Sequence, residues 1–218
     1  MPDCQIYLVS PPAIDDLDAF AKTLRDVLDA VPVAAFQLRL KGQGGEIADS
    51  SVVVQAAEAI FPMLRDAGTV ALMNDSVDLA SRTGADGVHL GQGDGSVADA
   101  RAALGRDAVI GVTCHTSKDL AFEAVSAGAD YVAFGAFFPT PTKTPPSAFG
   151  GEDGLELLSW WQEAMTTPCV AIGGITPDNA APLVGAGADF LAVSSGFWSH
   201  AAGPVSAARS LWELCRAG

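Results

Sequence analysis

Short apolar runs of strand length alternate along the chain with amphipathic stretches of helical length. The runs are QIYLVS (5–10), AFQLRL (35–40), TVALMN (69–74), GVHL (87–90), VIGVTC (109–114), YVAFGAF (131–137), CVAIGG (169–174) and FLAVSS (190–195). Between them lie helical patterns such as DDLDAFAKTLRDVLDA and SSVVVQAAEAIFPMLRDA. Most of the strand runs are apolar almost throughout, the pattern of parallel strands covered on both faces.

An internal echo sharpens this reading. GADGVHL, GADYVAF and GADFLAV each follow a helical pattern and open a strand. Their glycine suits a helix C-terminus, and the Ala-Asp pair turns the chain into the sheet. Eight comparable βα units predict a closed (β/α)8 barrel, one domain over residues 1–218. An open doubly wound sheet is the competitor. The first strand lacks a following GxGxxG, which favours the barrel.

Composition narrows the function classes. The chain has 218 residues, 49% apolar and 17% charged, enough for a large core and against disorder. Its net charge of −14 argues against a nucleic-acid partner and makes local cation clusters informative. No run is long enough to span a bilayer, and the start MPDCQIYLVS lacks a signal-peptide pattern. Cys4, Cys114, Cys169 and Cys215 are far apart, and they read as reduced, core-filling thiols of a cytoplasmic protein. Oligomeric state is left open, a homo-oligomer included.

In such barrels the chemistry sits in loops at the C-terminal strand ends. Strand 2 ends in QLRLK. By alternation Gln37, Arg39 and Lys41 share the barrel side, while Leu38 and Leu40 face the helices. Two cations at the mouth call for an anion, a phosphate or diphosphate. Strand 3 ends in Asn74 and Asp75, although Asp75 could equally cap the next helix. After strand 4, HLGQGD brings Asp94. Two carboxylates beside a basic cluster make sense with Mg2+ between them and a diphosphate. Strand 5 ends with Thr113 and His115. After strand 6 comes PTPTK, a proline-stiffened loop with Thr140, Thr142 and Lys143, one of only four lysines. Strands 7 and 8 end in GGITPDN and SSG. Gly173 and Gly174 let backbone N–H groups approach a ligand, Thr176 and Pro177 are placed to start a helix, and Ser194 and Ser195 offer hydroxyls. The mouth then holds two anion sites. One is metal-assisted, with Arg39, Lys41 and Lys143; the other has neutral donors around Gly174, Ser194 and Ser195. No nucleophile is expected to be paired with a base.

The ordered set QLRLK, NDSVDLASRTGADGVHLGQGD, GVTCHT, PTPTK, IGGITPDN and GADFLAVSS resembles the family of thiamine phosphate synthases and thiazole tautomerases, from about Gln37 to Ser195. The resemblance implies a transferase that joins 4-amino-2-methyl-5-(diphosphooxymethyl)pyrimidine to a thiazole phosphate, giving thiamine phosphate and pyrophosphate. It implies Gln37, Leu38, Arg39, Leu40, Lys41, Asn74, Thr113 and Lys143 at the pyrimidine diphosphate. It implies Asp75 and Asp94 on Mg2+, and Thr140, Pro141, Thr142, Gly174, Ser194 and Ser195 at the thiazole phosphate. It also implies a dissociative step, with pyrophosphate leaving against Mg2+, Arg39, Lys41 and Lys143 before the thiazole nitrogen attacks.

The chain departs from the usual pattern in places. Gly93 stands where the family commonly has glutamate, Thr113 where serine is usual, and Ser76 where arginine often follows the ND pair; PTKTPP replaces a more polar stretch. Two other readings are a thiazole phosphate tautomerase with His115 as base, and a non-catalytic barrel that binds phosphorylated ligands.

Overall fold

The structure, a computed structural model, describes residues 4–41, 48–139 and 152–217. Its strands are β1 (Gln5–Val9), β2 (Ala35–Leu38), β3 (Val70–Asn74), β4 (Gly87–Leu90), β5 (Val109–His115), β6 (Tyr131–Gly135), β7 (Cys169–Ile172) and β8 (Phe190–Val193). They pair in chain order, all parallel, and β1 closes on β8 with Leu8 opposite Val193. That closure excludes the open sheet. Helices α1 (Leu17–Ala30), α2 (Ser50–Asp66), α3 (Val77–Thr83), α4 (Val97–Leu104), α5 (Lys118–Ser126), α6 (Glu152–Ala164) and α7 (Ala181–Gly185) occupy the crossovers. The short α8 (Ser195–Trp198) and then α9 (Pro204–Ala217) follow β8. Among the described residues, no helix is long and apolar enough to cross a membrane.

Strand alternation sorts the core into two parts. Ile6, Leu8, Phe36, Leu38, Ala71, Met73, Val132 and Phe134 face outward into the large cluster beneath the helices. Tyr7, Val9, Ala35, Leu72, Tyr131, Ala133, Val170 and Ala192 fill the barrel itself. The helices close the outer layer because their starts are satisfied locally. Asp16, Asp49, Ser76, Ser96 and Ser117 each accept a first-turn backbone N–H. All four cysteines are buried and unbridged.

The echoed Gly-Ala-Asp has a physical basis beyond a turn. Asp86, Asp130 and Asp189 each stand just before or at the start of a strand. Their carboxylates accept the backbone N–H of Ala71, Ile110 and Cys169, at 2.7, 2.7 and 2.8 Å. In each case the backbone N–H of the same aspartate donates to the carbonyl of the same residue. The aspartate therefore stitches each new strand to the one before it.

Two local expectations fail. β2 ends at Leu38 and β6 at Gly135, because the chain leaves the sheet to build the mouth. Thr176 and Pro177 do not start a helix; α7 begins at Ala181. Asn179 explains this. Its Oδ1 accepts the Thr176 N–H at 2.8 Å and its Nδ2 donates to the Gly174 carbonyl at 3.0 Å, which folds TPDN into a closed turn.

Candidate active site

The C-terminal strand ends gather most of the polar residues singled out from sequence. Beyond β2 the alternation persists, so Arg39 and Lys41 turn toward the mouth. Leu38 and Leu40 are buried in the outer cluster, so only their backbone faces the mouth. The Arg39 N–H is held by Ser10 Oγ at 2.8 Å, and burial pulls the guanidinium down from its ordinary range while Asp75 pushes it back up.

Asp75 does not cap α3; Ser76 does, accepting the Leu79 N–H at 3.2 Å. Relieved of that task, Asp75 adopts a left-handed conformation with φ 61° and meets Lys41 Nζ at 2.9 Å. A non-glycine residue in that region carries backbone strain, which structures retain where a side chain must be aimed. Asp94 completes the group. Its Oδ2 accepts the Gly91 N–H at 2.9 Å. Partial burial raises its carboxyl above the ordinary range, as do the Asp75 charge and a hydrogen bond between the two carboxyls. Lys41, Asp75 and Asp94 thus converge on one spot. A side chain at Gly93 would meet nothing within 4 Å, so no steric cause keeps glycine there.

Thr113 faces inward on β5, and its Oγ1 lies 2.8 Å from His89 Nε2. A hydroxyl and an imidazole are therefore paired, contrary to expectation. The other imidazole nitrogen meets the neutral Tyr131 hydroxyl at 2.8 Å instead of a carboxylate. A carboxylate at that nitrogen is what a nucleophile–base triad uses. His115 ends β5 on the exposed side, past a bulge, with φ 52°. Gln92 was not singled out from sequence, yet its Nε2 donates to the Thr113 carbonyl at 2.6 Å and ties the β4 loop to β5.

Across the mouth, Arg39, Gly173, Gly174, Ser194, Ser195 and Gly196 line a cavity of about 110 Å³. Arg39 therefore belongs to this wall as well as to the Lys41 side, so the two anion sites are contiguous through its guanidinium. Gly174 has φ 65°, and a Cβ on it would stand 2.6 Å from the Pro139 carbonyl oxygen. Glycine here lets the chain after β6 pack against the β7 loop. The Ser194 hydroxyl donates to the Ser10 carbonyl at 3.1 Å, so it faces a ligand as an acceptor and not as the donor expected. Donors on this wall are backbone N–H groups, those opening α8 among them, and the Ser195 hydroxyl. Ser10, buried and bonded to both Arg39 and Ser194, was invisible in the sequence because QIYLVS reads only as a strand. Thr140, Pro141, Thr142 and Lys143 lie outside the described residues.

A closed parallel barrel with its polar groups collected at the C-terminal face defines a (β/α)8 barrel of the enzyme type. The family pattern described as thiamine monophosphate synthase matches residues 6–197. The chain belongs to that family. A thiamine-phosphate synthase of Hyphomonas neptunium is 53% identical over 215 residues, covering 98% of this chain and 94% of the relative. One of Rhodospirillum centenum is 51% identical over 216 residues, covering 99% of this chain and 100% of the relative. The solved structure of a thiamine phosphate pyrophosphorylase from Pyrococcus furiosus superposes with a TM-score of 0.82 at 26% identity, covering 99% and 97% of the two chains.

Proposed function

We propose that this chain is a transferase that condenses 4-amino-2-methyl-5-(diphosphooxymethyl)pyrimidine with a thiazole phosphate, forming thiamine phosphate and pyrophosphate. The observation that carries this reading is the convergence of Lys41, Asp75 and Asp94 beside Arg39 at the barrel mouth. It stands next to near full-length similarity to thiamine-phosphate synthases.

The donor set suits Mg2+. Among the described residues, no cluster of three or more His, Cys, Asp or Glu side chains is placed to hold a metal. Two neighbouring carboxylates, with the Asp94 carboxyl raised by its burial and by Asp75, match the coordination Mg2+ takes once phosphate oxygens and water complete it. Asp75 and Asp94 would hold the ion, which when bound neutralises charge on a diphosphate.

The protein's own groups act by position and charge. The C–O bond between the pyrimidine methylene and the diphosphate breaks, and both electrons leave with pyrophosphate. Arg39 and Lys41 face the departing oxygens, with Lys143 as a third cation. The thiazole nitrogen then forms the new C–N bond with its lone pair. Asn74 and Thr113 hold the pyrimidine, with the buried Gln37 side chain behind Asn74 and bonded to it, and with the backbone at Leu38 and Leu40 beside the ring. The thiazole phosphate rests on N–H groups at Gly174, Ser194 and Ser195, and on Thr140, Pro141 and Thr142. Such preorganised charge and orientation account for large rate factors without a covalent intermediate.

The test is to mix the protein, Mg2+ and both substrates and quantify thiamine phosphate and pyrophosphate. Equal amounts of the two products are expected. Conversion of the thiazole phosphate alone between tautomers, with no pyrophosphate, would instead identify an isomerase.

A further inference from the structure

Inside the barrel, six side chains from six strands form one unbroken hydrogen-bonded chain. Gln37 Nε2 donates to Asn74 Oδ1 at 2.6 Å, and the Tyr7 hydroxyl donates to Gln37 Oε1 at 2.9 Å. The Tyr7 and Tyr131 hydroxyls meet at 2.9 Å. Tyr131 meets His89 Nδ1 at 2.8 Å, and His89 Nε2 meets Thr113 Oγ1 at 2.8 Å. The four middle members are buried, at 2–6% exposure, while Asn74 and Thr113 reach the mouth half-buried. The barrel makes room for this chain at a specific place: a Cβ on Gly111 would sit 1.9 Å from the Tyr131 ring.

With the Gln37 Oε1 turned to Tyr7 and a neutral His89 ring, the number of hydrogens each group owns sets the order of protons along the chain. Burial pushes both phenols up from their ordinary range, so each keeps its one proton. Tyr7 gives that proton to an amide oxygen, so its own oxygen must accept from Tyr131. Tyr131 then accepts from His89 Nδ1–H. The Nδ1–H tautomer leaves Nε2 as an acceptor, which draws the Thr113 hydroxyl proton inward. At the other end the Asn74 oxygen is occupied, and its amide N–H groups face the mouth. The mouth therefore shows a donor on β3 and an acceptor on β5.

We propose that the buried Tyr7–Tyr131–His89 relay fixes this donor–acceptor polarity and thereby selects a 4-aminopyrimidine over its 4-oxo counterpart. The proposal rests on the functional reading above, which places the pyrimidine between Asn74 and Thr113. A 4-aminopyrimidine offers a ring nitrogen that accepts next to an amino group that donates. A 4-oxopyrimidine offers a ring N–H and a carbonyl, the reverse pattern, and would meet donor with donor and acceptor with acceptor. Sites built on buried hydrogen bonds reject mismatched analogues by about 10⁴-fold. Tyr7, Tyr131 and His89 are positioning residues in this scheme, acting through Gln37, Asn74 and Thr113.

The test combines the kcat/KM ratio for the 4-amino and 4-oxo pyrimidine diphosphates with ¹⁵N NMR of the His89 ring. Wild type is expected to hold His89 as the Nδ1–H tautomer and to prefer the amino substrate by about 10³-fold or more. Tyr131→Phe removes the acceptor at Nδ1. It should shift His89 toward Nε2–H and lower the preference by about tenfold or more, while KM for the thiazole phosphate stays unchanged. Tyr7→Phe, which frees the Tyr131 proton to point at His89, should do the same and serves if Tyr131→Phe does not fold. An Nε2–H tautomer in wild type, or variants that leave both tautomer and preference unmoved, would overturn the proposal. No turnover of either pyrimidine would overturn the functional reading and the selectivity with it; the tautomer would still accept or reject the proton order by itself.

Discussion

The Lys41 ammonium lies 2.9 Å from the Asp75 carboxylate, and both side chains are largely withdrawn from solvent, at 26% and 11% exposure. In a chain of net charge −14, this places a scarce cation against an acid that is itself within hydrogen-bonding reach of a second acid, Asp94. A buried ion pair of this kind is weak evidence for stability. Its position at the barrel mouth is better explained by what it holds in place.

Asp75→Ala and Asp94→Ala are each expected to lower Mg2+-dependent pyrophosphate release by about 10²–10³-fold, the usual size of an effect from removing one preorganised electrostatic group. Stopped assays of released pyrophosphate measure it. Turnover near wild type in either variant would remove that carboxylate from the metal.

Asp94→Asn should be more stable than wild type at neutral pH and less active. The Asp94 carboxyl is raised in the fold, first by burial and then by Asp75. A raised carboxyl favours the protonated folded state, so its contribution to stability is lost as pH rises through the window above the ordinary carboxylate range. Asparagine keeps an oxygen for the Gly91 N–H and removes the repulsion. A melting temperature higher than wild type at pH 7, with the gap closing below pH ~3.5, is expected. A lower melting temperature at pH 7 would show that the Asp94 charge stabilises the loop. Added Mg2+ with pyrophosphate should raise the melting temperature of wild type more than that of the variant.

Asn179→Ala should act on the thiazole side alone. It removes both bonds that close the turn after β7, each worth about 0.5–1.5 kcal/mol. KM for the thiazole phosphate is expected to rise about tenfold. KM for the pyrimidine diphosphate should hold, and an equal rise in both would mean a general loss of fold.

Asp189→Ala tests the stitching role of the repeated aspartate. Its carboxylate serves the Cys169 N–H, far from the mouth. The variant should lose about 1–3 kcal/mol of stability in urea unfolding. Its kcat per folded molecule should be unchanged; a drop in kcat without a drop in stability would contradict the assignment.

The barrel was legible because each strand run is apolar on both faces and each crossover carries helical spacing, signals that need no long-range information. Arg39, Lys41, Asp75 and Asp94 could be gathered from sequence because alternation and strand order place them at one end. Helix capping misled at Thr176, where the competing partner, Asn179, comes after the turn it closes. Ser10 and Gln92 could not be read at all, since their roles depend on strands distant in sequence. The proton relay through Tyr7, Tyr131 and His89 was hidden for the same reason. Each tyrosine reads locally as a β-prone core residue, and only barrel closure brings the two hydroxyls to 2.9 Å.

Where a diphosphate binds decides the roles of Arg39, Lys41, Asp75 and Asp94. Crystals of the protein grown with pyrophosphate and Mn2+, with anomalous scattering used to place the metal, give the most direct answer. The metal is predicted within coordination distance of Asp75 and Asp94, with pyrophosphate oxygens against it and within reach of Arg39 and Lys41. Pyrophosphate seated away from these four residues, or a metal bound without them, would contradict the account.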